Sequence, residues 1–171
     1  SPFYHPMSHG IALEGMRLVV EYLPRAYDTP DDLEARAQMM SAAAMGATAF
    51  QKGLGAIHAM SHPIGAHFGT HHGTTNAVCM PAVLKFNAPE IAARFDRAAS
   101  YIGIKGGFDG FCAFVDDFNE RLGVPKGLAA LGVTETSIPA LVEGAVKDPS
   151  CAGNPIPLNP GNLTALFNAA L

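Results

Sequence analysis

Apolar residues in this chain recur every three or four positions and nowhere alternate with polar ones over the length of a strand, which constrains it to bury helix against helix. Leu13, Met16 and Val20 mark one such run between Gly10 and Leu23, which Pro24 is expected to end. Asp28-Thr29-Pro30-Asp31-Asp32 reads as a helix start, because acidic side chains in a first turn meet the positive end of the helix dipole. From there to Phe50 the chain is rich in Ala and Met (Ala35, Ala37, Met39, Met40, Ala42 and onward). This stretch is expected to be a long helix packed tightly on most sides, its methionines filling irregular gaps, rather than a methionine-rich cofactor box. Gly53 and Gly55 interrupt it. Asn76 to Phe86 reads as a buried apolar helix, and Ala88-Pro89-Glu90 as the opening of another that runs to Tyr101. Phe108 to Leu122 is amphipathic, with Phe111, Phe114, Val115 and Phe118 expected to face inward. Thr134-x-x-Ser137-Ile138-Pro139 starts a helix leading to Val146, and Asn162 to Leu171 forms the last one. No repeat and no linker divides the chain, so the expectation is one all-α domain over residues 1–171.

Composition narrows the function classes. With 49% apolar and 15% charged residues the chain is a folding sequence and not a disordered polyelectrolyte. A formal net charge of −4, with Lys and Arg scattered singly, argues against a nucleic-acid partner and against an anionic membrane surface. No apolar run reaches the roughly 18 residues that span a bilayer. Ser1 to Gly10 is polar and proline-punctuated, unlike a signal peptide, and the start without Met reads as a cut or processed end. Cys79, Cys112 and Cys151 stand at wide, unpatterned spacing, which suits free thiols in a reducing cytoplasm and leaves no Cys-x-x-Cys pair for zinc.

The chemistry is concentrated between Gly53 and Gly73, where five of the seven histidines lie: His58, His62, His67, His71 and His72. Imidazole is a borderline ligand that suits Fe, Zn and Ni, and so dense a cluster points to metal or proton chemistry. By spacing alone, His58 and His62 are four apart and share one face of a helix, although Pro63 biases His62 away from helical geometry. His72, beside Gly73, falls where a turn enters the next helix. His67 and His71 are read as solvated or packing residues. The segment lacks a dinucleotide fingerprint, a phosphate-binding loop, His-Glu-x-x-His and a serine nucleophile elbow. A metal site wants three or four protein ligands, often with a carboxylate, and none adjoins the histidines in sequence. Glu34 and Glu90 are the nearest, with no spacing to recommend them.

The run Gly53-Leu54-Gly55-x-x-His58-Ala59-Met60-Ser61-His62-Pro63-Ile64-Gly65-Ala66, continuing to His72-Gly73-x-x-Asn76-Ala77 and Pro81, resembles the signature of the iron-containing (group III) alcohol dehydrogenases. The likeness extends from Leu13–Leu23 through the Ala/Met helix to Cys151-x-Gly153-Asn154-Pro155 and so covers essentially the whole chain. His71, Ala82 and Ile156 depart from residues common in that family, and none is a proposed ligand. The resemblance implies the helical C-terminal domain of the dehydroquinate synthase-like fold, with an α/β domain that binds NAD(P) absent from this chain. It implies that His58 and His72 ligate a divalent metal, Fe foremost and Zn next. It places His62 beside the metal as a proton-handling or orienting residue, and the remaining ligands, an Asp and a His, on a segment before Ser1.

On that reading the intact enzyme oxidises a small alcohol to an aldehyde or ketone, and this chain alone is inactive and holds metal weakly. The alternative is a non-catalytic helical module for metal binding or interaction. Substrate, the choice of NAD or NADP, metal identity and oligomeric state stay open, a homo-oligomer among the readings.

Overall fold

A computed structural model describes residues 1–171, all helix and connecting turns with no strand. The helices are α1 (Pro6–Asp28), α2 (Leu33–Ala49), α3 (Ala56–Phe68), α4 (His72–Tyr101), α5 (Gly107–Arg121), α6 (Ile138–Lys147) and α7 (Pro160–Ala170). Short 3-10 turns lie at Phe50–Lys52, Leu128–Leu131, Glu135–Ser137 and Pro149–Gly153. The chain divides into two compact units: Phe3–Gly53 with Arg94–Phe111, and Leu54–Ala93 with Cys112–Leu171 and the first two residues.

The first unit is built on the α1–α2 pair. His5 caps α1 through Nδ1, which accepts from the Ser8 N–H at 3.1 Å, and Pro6 takes the first turn, where its missing N–H costs nothing. The expectation that Pro24 ends this helix fails: α1 runs on to Asp28, where the Thr29 N–H donates to the Arg25 carbonyl. An interior proline removes one ladder bond, and here the ladder on either side carries the helix past it. Asp32 caps α2 through the Ala35 N–H at 3.0 Å and holds Arg25 at 2.8 Å.

Tight packing of α2 on most sides is not observed. Only Ala35 and Ala42 are buried, two turns apart, while Leu33 is 79% and Met40 76% exposed. The apolar residues lie all around this helix and its main neighbour is α1, so one face is covered and the others stay open.

The second unit holds the main core, with Met60 and Ile64 of α3, Cys79 and Val83 of α4, Leu141 and Ala145 of α6, and Leu163 and Phe167 of α7. Pro63 does not divert His62; it sits buried inside α3. The reason lies across the interface, where a Cβ on Gly144 of α6 would come within 2.8 Å of the Pro63 Cβ. Glycine there gives the pyrrolidine ring its space. The two helices expected at Asn76–Phe86 and Ala88–Tyr101 are one, α4, running unbroken through Pro81 and Pro89. Burial of Val83, Leu84 and Asn87 before Pro89 and of Ile91 after it holds the backbone helical through the proline. In α5, Phe111 and Val115 are buried as expected, whereas Phe114 and Phe118 are half-buried and stack with ring centroids 5.0 Å apart. Thr134 and Ser137 form a reciprocal cap ahead of α6, as Asn159 and Asn162 do ahead of α7.

The start of α3 is tied to the far end of the chain by Asn154. Its Oδ1 accepts from the Ala56 N–H and from Asn87 Nδ2, both at 3.0 Å, and its Nδ2 donates to Asn87 Oδ1 and the Ile156 carbonyl, both at 2.8 Å. Gly153 lets the chain come so near that a Cβ would lie 1.8 Å from the Leu54 carbonyl oxygen.

Two glycine-to-alanine changes should therefore differ in sign. Gly46→Ala, in open space within α2, is expected to stabilise by about 0.5–1 kcal/mol through helix propensity. Gly144→Ala should cost about 1–3 kcal/mol despite the same propensity gain, because Pro63 and α3 must shift. Urea unfolding of both variants checks this, and a stabilised Gly144→Ala would refute the close approach.

Candidate metal and proton site

His58 lies in the first turn of α3, His62 one turn further on the same face, and His72 opens α4. The three rings meet. Their centroids are 5.6 Å apart for His58–His62, 5.2 Å for His58–His72 and 5.5 Å for His62–His72, the last pair stacked within 16°. The four-residue spacing does put His58 and His62 together, and the fold adds His72 from the next helix.

Asn76, one turn into α4, faces two of the rings. Its Nδ2 lies 3.4 Å from His58 Nε2 and 3.0 Å from His72 Nε2, while its buried Oδ1 has no hydrogen-bond partner. Two imidazole nitrogens that accept from one amide nitrogen direct their lone pairs at one place. These donors fit a divalent metal as a two-imidazole half-site. No group of three or more His, Cys, Asp and Glu side chains is arranged to hold a metal ion by itself.

His62 is tied elsewhere. Its Nδ1 lies 2.7 Å from Asp148 Oδ2, and Asp148 Oδ1 accepts from the Ser150 N–H at 2.8 Å. Asp148 is 11% exposed and caps the 3-10 turn Pro149–Gly153. Burial opposes its ionisation, but hydrogen bonds from Ser150 and His62 outweigh that and hold its carboxyl below the usual range. Sequence reasoning missed this carboxylate. It stands 86 residues from His62, and Asp148-Pro149-Ser150 carries no mark beyond that of a helix cap. Of the carboxylates weighed from sequence, Glu34 is engaged by Arg25 at 2.8 Å and Glu90 is exposed on α4.

The other two histidines of the segment serve the backbone. His67 Nδ1 meets the Pro63 carbonyl at 2.9 Å, and His71 Nδ1 accepts from the Thr74 N–H at 3.3 Å at the start of α4. Cys151 donates its thiol hydrogen to the Ala145 carbonyl at 2.9 Å, and burial pushes its pKa up. Cys79 is buried, its thiol pushed up to about 12.

Comparison with known proteins gives the family. The profile described as the Fe-containing alcohol dehydrogenase family, C-terminal, matches residues 3–171. A 4-hydroxybutyrate dehydrogenase of Cupriavidus necator is 42% identical over 164 residues, 91% of this chain and 43% of the relative. An NAD-dependent methanol dehydrogenase of Bacillus methanolicus is 34% identical over 158 residues, 88% of this chain and 42% of the relative. The crystal structure of a 1,3-propanediol oxidoreductase superimposes with a TM-score of 0.92 at 30% identity, over 98% of this chain and 46% of that one. The chain thus spans less than half the length of the relatives it matches.

His58 should take up a proton only below the ordinary imidazole range. Burial lowers its pKa below 6.5, and the neighbouring His72 and His62 lower it further. In the unfolded chain it protonates near the ordinary value of about 6.5. Its neutral folded form therefore costs no stability above that pH, and stability is lost as pH falls from there towards the folded value. In metal-free protein, His58→Gln should flatten the fall in urea stability below about pH 6.5. An unchanged pH slope would contradict the placement of this ring.

Proposed function

This chain belongs to the Fe-containing alcohol dehydrogenase family, whose C-terminal domain it carries, and from that premise we propose that it is the metal-holding half of an NAD(P)-linked alcohol dehydrogenase. The observation that carries the reading is the convergence of His58 and His72 Nε2 on one amide beside the ring of His62.

His58 and His72 would hold a divalent metal, Fe first and Zn second. The nucleotide and the remaining ligands would come from an N-terminal domain of the kind that fills the other half of the relatives. When bound, the metal supplies Lewis acidity toward the substrate oxygen and the nicotinamide supplies the hydride acceptor. The chain's own residues do the rest. Half-burial keeps His58 neutral and able to donate its lone pair. His62, hydrogen-bonded through Nδ1, presents Nε2 to the hydroxyl proton that must leave as the alcohol becomes a carbonyl. Its ring, stacked on His72, keeps that nitrogen close to the metal ligands. Relatives named for 4-hydroxybutyrate and methanol, and a structure named for 1,3-propanediol, share a terminal hydroxyl, so the proposed substrate class is a small primary alcohol and its aldehyde. Alone, the chain lacks the nucleotide site and is proposed to be inactive.

Single alanine variants of the full-length enzyme test the assignment. His58→Ala and His72→Ala each remove a ligand and should lose most of the metal, with activity partly restored by excess metal. His62→Ala should keep its metal and lose about 10²–10⁴-fold in turnover. Loss of metal from His62→Ala but not from His72→Ala would make His58 and His62 the ligand pair and overturn the assignment.

A further inference from the structure

We propose that Asp148 is the positioning residue that fixes which nitrogen of His62 carries the proton. The inference rests on the reading of His62 as the proton-handling group. The carboxylate has two oxygens and both are committed: Oδ1 accepts from the Ser150 N–H at 2.8 Å, and Oδ2 faces His62 Nδ1 at 2.7 Å. An ionised carboxylate only accepts hydrogen bonds, so His62 Nδ1 must be the donor and carry the hydrogen. The lone pair of the neutral ring is then on Nε2. This is the atom that would take the hydroxyl proton: the O–H bond breaks, an N–H bond forms at Nε2, and the freed electron pair becomes the second C–O bond as hydride passes from carbon to a nicotinamide, the acceptor that the proposed function supplies. The same carboxylate lies beside the imidazolium that results and stabilises it.

The hydrogen bond between them spans the fold rather than a local turn. His62 rides on α3, and Asp148 follows the last residue of α6, held by its cap on the 3-10 turn Pro149–Gly153. α3 and α6 pack directly, with Pro63, the residue after His62, against Gly144, four residues before Asp148. The contact that aligns the two helices thus sets the imidazole against the carboxylate. Asp148 is 11% exposed and His62 42%, so the carboxylate is fixed in the protein while the ring keeps one edge open to solvent or substrate.

Asp148→Asn provides a test that keeps the fold. The Ser150 N–H still needs an acceptor, so the amide oxygen stays there and the amide NH2 turns to His62 Nδ1. That nitrogen must then accept, and the ring proton moves to Nε2, where it blocks proton uptake. Long-range 1H–15N correlation spectra, recorded where the ring is neutral and with His62 assigned from a His62→Gln spectrum, report the tautomer directly. The wild-type chain should show His62 protonated at Nδ1, and Asp148→Asn should show it protonated at Nε2 with an unchanged circular dichroism spectrum. In the full-length enzyme Asp148→Asn should lower kcat by about 10²–10⁴-fold while metal content is retained. A wild-type ring protonated at Nε2, or an Asp148→Asn ring that keeps its proton on Nδ1, overturns the proposal. Neither outcome touches the metal assignment, which stands or falls on the metal content of the His58 and His72 variants.

Discussion

The side chain of Asn154 is the interaction on which the site depends. One buried amide ends the orphan state of the Ala56 N–H at the start of α3, pairs reciprocally with Asn87 in the middle of α4, and closes onto the Ile156 carbonyl. The two helices that carry the three histidines are thereby referred to one residue late in the chain. Every hydrogen-bonding direction of that amide is used, so the cluster has the rigidity of a fully satisfied polar network. Along the rest of α3 the register is set by shape: Met60 and Ile64 are fully buried, and Pro63 enters the space left by Gly144. His58 and His62 are carried by a helix that is fixed at its start and along its buried face.

The electrostatics of the cluster divide the three rings by partner. His58 is half-buried and faces two other imidazoles, so its neutral form is favoured, which is the form that binds a metal. His58 and His72 share the Asn76 amide, whose carbonyl is left without a partner, an uncommon state for a buried acceptor. His62 alone has a carboxylate. On the proposed assignment this asymmetry separates the ring that moves a proton from the two that hold a cation, although the three centroids lie at nearly equal distances.

Much of this was legible in the residues and some was not. The helical class followed from apolar spacing, and the caps at Asp32 and Thr134–Ser137 sit where local chemistry puts them. The density of imidazole between Gly53 and Gly73 pointed to the candidate site, and the i, i+4 spacing correctly brought His58 beside His62. Three prolines misled, because Pro24, Pro63 and Pro89 lie inside helices held by packing that a local rule does not see. Methionine and alanine content misled in α2, where composition gave the likelihood of close packing but not the number of neighbours available to supply it. Asp148 was illegible, since a carboxylate brought to a histidine by the packing of α3 on α6 leaves no trace in spacing.

The central claim is that His58 and His72 point their Nε2 lone pairs at one place while His62 stays bound to Asp148 through Nδ1. Titration of the 15N-labelled chain with Zn(II) reads this directly, because ligation moves the resonance of the nitrogen that binds. The account predicts that the Nε2 signals of His58 and His72 shift together, with a common and weak apparent affinity, while the Nδ1 signal of His62 keeps its position. Joint shifts of His58 and His62 with His72 unmoved would contradict it.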